Sequence, residues 1–276
     1  MTKFRLYSDL HREFDGWEVP VIESEKDYIV ILAGDIAVAR ESGTYVDFII
    51  NLCHRHKHVV YIPGNHEYYG SSTYTAWDNM KSHFEDIPNL HMLNQDSVVL
   101  DGVKIIGATL WTDFNDLDSG AMYMASQYMN DYHSIRKDLP NEFGHAPKIT
   151  PEDTAAEHYM ARQFIDRELE TNQGEGLPIL VVTHHGPTLQ SVSPEFIGDT
   201  LNAAYVSDLS ALIRERAPTA WVHGHVHSSH NYTEGSTRVF TNPKGYPHRY
   251  SSNRYENVLF VESGVLEELN DLFSVE

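Results

Sequence analysis

The chain has 276 residues, of which 41% are hydrophobic, so it is long and apolar enough for a sizeable globular core. Its 20 Lys and Arg against 40 Asp and Glu give a formal net charge of -20. That balance argues against a surface for duplex nucleic acid, which needs clustered cations. A small phosphorylated partner is not excluded, because bound cations can reverse the local field.

The sequence also indicates where in the cell the protein is located. No apolar region of signal-peptide length precedes the first polar cluster, and no run reaches the ~18 residues of a membrane span. The single cysteine, Cys53, permits no intrachain disulfide and lies in an apolar helical pattern. We therefore expect a cytoplasmic protein without a membrane partner. The sequence is compatible with either a monomer or an oligomer.

Apolar runs predict the strands of the fold. The continuous runs at 28–32 and 179–183 are typical of strands buried on both faces, and further runs lie at 3–8, 58–62 and 219–222. Apolar residues at helical spacing, from Tyr45 to Cys53, separate the second run from the third. This alternation predicts a layered α/β fold whose site lies at one edge of a sheet.

The remaining segments predict further elements of both kinds. A helix start is marked by Thr150 as N-cap, with Pro151 at the first position and Asp153 at the third. The predicted helices cover 74–84, 150–170 and 206–214. The predicted strands cover 98–100, 103–106, 231–232, 238–240 and 258–261.

The domain organisation is predicted to be simple, because we find no repeat, low-complexity run or linker. The Tyr- and Met-rich segment at 110–139 favours helical packing, with a lid over a site as the alternative. We expect one domain of residues 1–276, with a helical insertion or lid at about 112–172 and a C-terminal helical tail at about 263–274. That tail has an apolar face, for which packing on its own core is the default and a subunit contact is the alternative.

The stretch Ile62-Pro63-Gly64-Asn65-His66-Glu67 lies at the centre of the predicted site. Pro and Gly end the preceding strand and let the backbone turn tightly, so the polar residues lie on a loop at the strand's carboxyl edge. Asn65 can ligate a metal through its amide oxygen, and His66 can donate a proton.

Similar polar clusters follow the other long runs. Taken singly, each has an ordinary explanation, since an Asp after a strand is most often a turn former. Residues two apart on extended backbone face the same way, so Asp9 and His11 are expected to reach one point. Together the clusters offer carboxylates, imidazoles and an amide oxygen, from Asp9, His11, Asp35, Asn65, His66, His184, His225 and His227.

This donor set suits borderline-to-hard divalent ions such as Mn²⁺, Fe²⁺ or Zn²⁺, and the lack of thiolates argues against a Cys-rich structural zinc site. Seven residues of the set are candidate ligands. Sharing one carboxylate between two ions would give each ion four protein ligands and leave positions for water and substrate. Two metals about 3.5–4 Å apart are a known arrangement for hydrolysing phosphate esters.

Taken in chain order, the clusters resemble the signature blocks of the calcineurin-like metallophosphoesterase superfamily, which are D-x-H, GD, GNH(E/D), H and GHxH. The blocks stand here as Asp9-Leu10-His11, Gly34-Asp35, Gly64-Asn65-His66-Glu67, His184 and Gly224-His225-Val226-His227. Four further segments look like a bacterial and phage-type subgroup, namely Ser8-Asp9-Leu10-His11, Leu110-Trp111-Thr112-Asp113-Phe114, Met129-Asn130-Asp131-Tyr132 and Asn242-Pro243-Lys244-Gly245-Tyr246.

The resemblance implies a four-layer α/β/β/α sandwich of two mixed β-sheets, with a dinuclear metal site at the strand ends. The ligands of the first ion would be Asp9, His11, Asp35 and His227. Asp35 would bridge to a second ion, whose ligands would be completed by Asn65, His184 and His225. His66 would contact the phosphate and stabilise it or protonate the leaving oxygen, and Asn65 would also contact substrate.

The resemblance further implies a phosphodiesterase or phosphomonoesterase for a small or nucleotide-like substrate, acting by in-line attack of a metal-bound hydroxide. Mn²⁺ is the first candidate for the two ions, with Fe or Zn as alternatives. Arg12 could meet a phosphate oxygen, and a surface charge is an equally good interpretation. His185, Glu67 and His223 are candidates for orienting the ligands.

One branch of the superfamily is disfavoured, and one alternative of a different class stays open. The DRG sequence of the Ser/Thr protein phosphatases is absent after Asp35, so we disfavour that branch. A non-catalytic binding module of the same fold, or a nucleotide sensor, is the alternative of a different class. Such modules typically lose ligands, and all seven candidate ligands are present here.

Overall fold

The computed structural model describes residues 2–39, 42–138, 146–172, 174, 176–247 and 260–274. Its first sheet contains four strands, β1 (Lys3–Tyr7), β2 (Tyr28–Ala33), β3 (His58–Ile62) and β4 (Leu90–Met92), in that order. All three strand pairs are parallel, because each connection returns the chain to the same end of the sheet before the next strand begins. The expectation of a mixed sheet is therefore wrong for this one.

The second sheet is mixed. It contains β5 (Asp96–Leu100), β6 (Val103–Ala108), β7 (Ile179–Thr183), β8 (Ala220–His223), β9 (Asn231–Glu234) and β10 (Thr237–Thr241), in the order β5-β6-β7-β8-β10-β9. The central pairs are parallel, and the two outer pairs are antiparallel hairpins. The Asp101-Gly102 turn joins the first hairpin, as its sequence predicts.

Helices connect the strands and pack around the two sheets. They are α1 (Arg12–Asp15), α2 (Ser42–Arg55), α3 (Thr73–His83), α4 (Phe114–Leu117), α5 (Ser119–Tyr128), α6 (Asp131–Ser134), α7 (Pro151–Asn172), α8 (Ser210–Arg216) and α9 (Glu267–Asp271). Short 3-10 helices lie at Glu25–Asp27, His66–Tyr68, Leu189–Ser191, Pro194–Phe196 and Thr200–Ala204. None of the helices described combines the length and apolarity needed to cross a bilayer.

Four layers follow from the alternation of side chains along the strands. Leu6 of β1 and Val182 of β7 point into the interface where the two sheets pack face to face. The opposite face of the first sheet is covered by α2, which contributes Phe48. The opposite face of the second sheet is covered by α7 and α8, with Ile165 in the core that they form. The α/β/β/α sandwich is thus confirmed.

Several element boundaries agree with the sequence in physical detail. Strands β3 and β7 have the predicted bounds. Helix α7 begins with a reciprocal cap, in which the Thr150 backbone N–H donates to Asp153 at 2.7 Å and the Asp153 N–H donates to Thr150 Oγ1 at 3.4 Å. This cap explains why the helix starts at Pro151.

Three predicted elements differ. The helix predicted from Val206 begins only at Ser210, because Val206 instead forms a bridge with Gly186. Of the strand predicted at 258–261, the first two residues lie outside the described part of the chain, and Phe260 and Val261 are not in a strand. The predicted C-terminal tail contains only the five-residue helix α9. The division into one domain with an insertion and a tail stays a prediction.

Candidate active site

The site lies where the carboxyl ends of β1, β2, β3, β7 and β8 meet, in the loops directly after these strands. The two sheets bring those loops together because their central strands are parallel. Each predicted ligand is buried or half-buried in this region, and Asp9, His11 and His184 are fully enclosed.

Asp9 and His11 converge through a different backbone from the one expected. β1 ends at Tyr7, and Asp9 and His11 have left-handed φ values of 52° and 46°. His225 and His227 are also left-handed, with φ values of 68° and 50°. The prediction that Asp9 and His11 converge by strand alternation is therefore wrong in its cause, since turns and not extended backbone aim them.

One cluster joins the first and second strand ends to the loop after β8. The ligand atoms of its members lie within 4.8 Å of one another. His11 Nε2 and His227 Nε2 are 3.0 Å apart, and His227 Nε2 lies 3.3 Å from Asp9 Oδ1. Separations of about 3 Å are those expected between ligands that share one cation at bond lengths of about 2.0–2.2 Å. The members are Asp9, His11, Asp35 and His227.

A second cluster shares Asp35 with the first. Asp35, His184 and His225 have ligand atoms within 4.8 Å of one another. His184 Nε2 lies 3.3 Å from Asp35 Oδ1 and 3.0 Å from the amide oxygen of Asn65. The other Asp35 oxygen, Oδ2, lies 3.9 Å from His11 Nε2 in the first cluster. The two oxygens of Asp35 therefore face different clusters.

The orientation of His184 also fits ligation. Its Nδ1–H donates to the Ala33 carbonyl at 2.9 Å, which directs its Nε2 at the cluster. Burial opposes protonation of His184, but Asp35 and Asp9 raise its pKa to about 10, so Nε2 carries a proton while no cation is bound. A cation held by the same carboxylates would take the place of that proton.

His225 gives a direct test of whether the residues suit a metal. Its Nε2 is buried and has no hydrogen-bond partner among the described residues, although an unpaired buried ring nitrogen is costly. Its backbone N–H donates to Asp9 Oδ1 at 2.9 Å, which fixes the residue beside both clusters. A cation coordinated by this nitrogen would remove the cost, so the donor set fits divalent metal ions.

Asp131 sets the direction of the Asn65 amide. The Asn65 Nδ2–H donates to Asp131 Oδ1 at 2.7 Å, and Tyr69 also donates to that oxygen at 2.9 Å. Because the amide nitrogen is held there, the amide oxygen faces His184. Asp131 stands at the start of α6, within the predicted insertion, and its local sequence does not predict this role.

Glu67 joins two of the loops. Its carboxylate accepts from the Asp35 N–H at 3.0 Å, the Gly64 N–H at 2.7 Å, the Ile36 N–H at 2.7 Å and the Tyr61 hydroxyl at 2.8 Å. A longer contact from the Ala37 N–H brings the donors to five. All five groups would lose a hydrogen-bond partner if the Glu67 side chain were removed. The expected orienting role of Glu67 is consistent with these contacts.

His185 and His223, the other candidate orienting residues, are fully buried. His185 Nδ1–H donates to the Thr109 carbonyl at 3.1 Å, and its ring lies 4.1 Å from that of His225. His223 Nε2 lies 2.7 Å from Ser191 Oγ. His185 therefore supports a predicted ligand by packing.

His66 lies beside the clusters. Its Nδ1–H donates to Glu13 Oε1 at 2.9 Å, and its Nε2 lies 3.0 Å from the Tyr246 hydroxyl. Burial opposes protonation of His66, but Asp35 and Glu13 raise its pKa to about 9. The only sequence signal for Glu13 is its position two residues after His11.

Arg12 is not brought to the site. Its guanidinium lies 3.9 Å from the centre of the Phe48 ring, pairs with Glu18 at 2.8 Å and donates to the Trp17 carbonyl. It is not among the described residues that line the cavity. These contacts favour the structural interpretation of Arg12 over the phosphate contact.

A cavity of about 480 Å³ opens over the two clusters. Asp35, Asn65, His66, His225 and His227 form its floor on the cluster side. Further lining residues come from the loop after β3, the insertion, the 3-10 helices after β7 and the loop after β10, and include Tyr69, Tyr128, Asp131, Phe196, Tyr205 and Tyr246. The volume suits a small-molecule substrate.

Comparisons with known proteins agree with this fold. The model of the calcineurin-like phosphoesterase family matches residues 2–229. An uncharacterized protein of Acanthamoeba polyphaga mimivirus is 28% identical over 279 residues, which cover 92% of this chain and 95% of that protein.

Solved structures resemble the chain at lower identity. Phosphopantetheinyl hydrolase (PptH) from Mycobacterium tuberculosis has a TM-score of 0.66 at 17% identity, over 94% of this chain and 96% of that one. GAP50, the anchor in the inner membrane complex of Plasmodium, has a TM-score of 0.52 at 12% identity, over 94% of this chain and 77% of that one. At these identities the likeness is one of fold.

Proposed function

Since the chain belongs to the calcineurin-like phosphoesterase family, we propose that it hydrolyses a small or nucleotide-like phosphate ester with the help of two divalent metal ions. One observation carries the proposal. The two oxygens of Asp35 face two separate clusters of buried ligands, directly beneath a cavity. A buried carboxylate shared in this way would serve both ions of a dinuclear centre.

The ligands divide between two ions in this proposal. Asp9, His11 and His227 hold the first, and Asn65, His184 and His225 hold the second, with Asp35 common to both. When bound, such ions neutralise phosphate oxygens and acidify a coordinated water. The mixture of oxygen and imidazole donors suits Mn²⁺ first, with Fe or Zn as alternatives.

The chain's own side chains bind and protonate the ester. His66 and Asn65 both reach the floor of the cavity, where they contact the phosphate. His66 supplies the proton that the leaving oxygen needs, and Glu13 orients its ring. The Asn65 amide is aimed by Asp131.

The substrate is proposed only by class. The phosphopantetheinyl hydrolase of similar fold makes phosphopantetheinyl compounds one reasonable group to test beside nucleotides, and the cavity volume supports a molecule of that order of size. A cytoplasmic location completes the proposal, supported by the single cysteine.

Hydrolysis of an aryl phosphodiester and the matching monoester, measured side by side, tests the proposal. Metal-stripped protein would be re-supplied separately with Mn²⁺, Zn²⁺, Fe²⁺ or Mg²⁺. We expect metal-dependent turnover, and the ratio of the two rates then separates a diesterase from a monoesterase. His66→Ala should keep its metal and lose turnover by about 10²–10⁴ on an ester whose leaving alkoxide needs a proton, the usual effect of a lost general acid.

The outcomes distinguish enzyme from binding module. Turnover that needs metal and falls in His66→Ala supports the proposal. Two bound ions per chain with no turnover of either ester, of nucleotides or of phosphopantetheinyl compounds would contradict it and favour a module that binds without hydrolysis.

A further inference from the structure

The hydroxyl of Tyr246 lies next to His66 where both residues line the cavity. It lies 3.0 Å from His66 Nε2, and Tyr246 itself lines the cavity. The ring of Tyr246 is held against two predicted ligands of the first ion, 4.3 Å from the His11 ring and 4.7 Å from the His227 ring. The hydroxyl is thus fixed by packing on one side and by a hydrogen bond on the other.

Glu13 holds the His66 ring in place through a hydrogen bond at Nδ1. Its Oε1 accepts from His66 Nδ1–H at 2.9 Å and from His11 Nδ1–H at 3.3 Å. Tyr69 stacks on the other face of the His66 ring, with centroids 4.3 Å apart and an interplanar angle of 29°. The ring therefore has its Nδ1 committed to Glu13 and its Nε2 directed at Tyr246.

Both ring nitrogens of His66 are consequently engaged by protein groups. In this arrangement the Tyr246 oxygen lies on the hydrogen-bonded path by which a proton on His66 Nε2 can reach a substrate. The hydroxyl, in contrast, has its O–H free to rotate toward the cavity when His66 Nε2–H donates to it.

We propose that Tyr246 is a catalytic residue of this chain, whose hydroxyl donates the proton to the leaving oxygen while His66 resupplies it. The inference rests on the proposed function. As the P–O bond breaks, the leaving oxygen keeps the bonding electron pair and takes the Tyr246 proton. The proton on His66 Nε2 moves to the Tyr246 oxygen, so His66 ends neutral with its Nδ1–H still on Glu13. Water, the co-reactant of hydrolysis, forms the new bond to phosphorus and gives up the proton that recharges His66, so charge and protons balance.

Leaving groups of different basicity test this role. In Tyr246→Phe the ring and its packing remain and only the hydroxyl is lost. A 4-nitrophenolate leaves without a proton, whereas an alkoxide needs one. We expect kcat for an alkyl ester to fall by about 10²–10³ and kcat for the 4-nitrophenyl ester by less than about 10-fold. Equal losses on both esters, or no loss on either, would overturn the proposal.

A double variant tests whether the two residues act in series. If Tyr246 passes on the proton of His66, His66→Ala with Tyr246→Phe should be no slower on the alkyl ester than the slower single variant. Losses that multiply would show independent roles and overturn the relay. Tyr74→Phe, which removes an exposed hydroxyl on α3, is the matched control and should behave as wild type.

The assays distinguish failure of the Tyr246 relay from failure of the proposed phosphoesterase function. Wild-type turnover of the 4-nitrophenyl ester that needs metal, combined with an alkyl ester rate unchanged in Tyr246→Phe, refutes the relay alone. Absence of any metal-dependent turnover in wild type refutes the proposed function, and the relay with it. Equal metal content in all variants, measured before the assays, excludes loss of folding as the cause.

Discussion

Asn65 depends on a neighbour for the direction of its amide. An amide presents its oxygen or its nitrogen with nearly equal shape, so only the surrounding hydrogen bonds decide which one faces the ligand cluster. Asp131 accepts from the amide nitrogen at 2.7 Å, and its own pKa is raised by burial, against the lowering effect of Asn65. One neighbouring residue, Asp131, therefore decides which atom of the Asn65 amide faces the ligand cluster.

Asp131→Ala should release the Asn65 amide and weaken binding of one of the two metal ions by about 10–100-fold, the usual effect of losing a partner of a ligand. Calorimetric titration of metal-stripped protein with Mn²⁺ would measure both affinities. The exposed Asp78→Ala variant on α3 serves as the control. Two unchanged affinities in Asp131→Ala would show that the amide keeps its direction unaided.

The loops after the strands are the elements that build the site. Their close approach depends on glycine, since a Cβ at Gly64 would lie 2.2 Å from Asp35 Oδ1 and one at Gly34 would lie 2.3 Å from His184 Nδ1. Gly34 also has a φ of +86°, which L side chains rarely adopt. Glycine at both loops lets the backbone touch the ligands.

Gly64→Ala should therefore displace Asp35 and lower the metal content below two ions per chain, with activity falling by about 10²-fold or more because a 1 Å misplacement is enough for that loss. Metal analysis of the purified variant is the measurement. Gly174→Ala, whose Cβ would lie 3.8 Å from the Thr171 carbonyl oxygen, is the control. Full metal content in Gly64→Ala would contradict the packing described here.

The same loops mark the limit of prediction from sequence. The buried strands and their polar ends were predictable, because a continuous apolar run followed by Gly and a polar residue has few other interpretations. The left-handed backbone at Asp9, Asp35 and His225 was not, because local sequence does not reveal turns that tertiary contacts impose. Glu13 and Tyr246 were missed for a related reason, since they meet His66 only in the folded chain.

At the scale of the whole molecule, one buried cation joins distant parts of the chain. Arg5 of β1 is fully buried, and it donates to the Ser263 carbonyl at 2.7 Å, to Glu25 at 3.1 Å and to His56 Nε2 at 2.8 Å. His56 in turn donates from Nδ1 to the Leu52 carbonyl at 2.9 Å. The strand pattern alone gave no sign of this network, because Arg5 stands at a position that looks solvent-facing.

The network makes stability depend on pH. Burial and, to a smaller extent, the positive charge of Arg5 lower the pKa of His56 from 6.5 to about 4. The neutral ring accepts a hydrogen bond from Arg5. The unfolded chain therefore binds more protons between these values, and the free energy of unfolding falls as pH drops from 6.5 toward 4. The contribution of His56 is fully present above 6.5 and amounts to about 2 kcal/mol between pH 7 and pH 5.

Denaturant unfolding of metal-stripped protein at pH 7 and pH 5 measures this effect. His56→Gln can still accept from Arg5 but does not titrate, so its loss of stability between the two pH values should be about 2 kcal/mol smaller than that of wild type. The same pH dependence in both proteins would assign the effect to other groups.

The metal content of three proteins tests the central claim, that Asp35 joins two ion sites, most directly. Metal analysis after reconstitution with Mn²⁺ should give two ions per chain in wild type and in His66→Ala, because His66 is not among the proposed ligands. Asp35→Ala should hold fewer than one, because its carboxylate faces both clusters. Two ions per chain in Asp35→Ala would contradict the shared carboxylate and the dinuclear centre built on it.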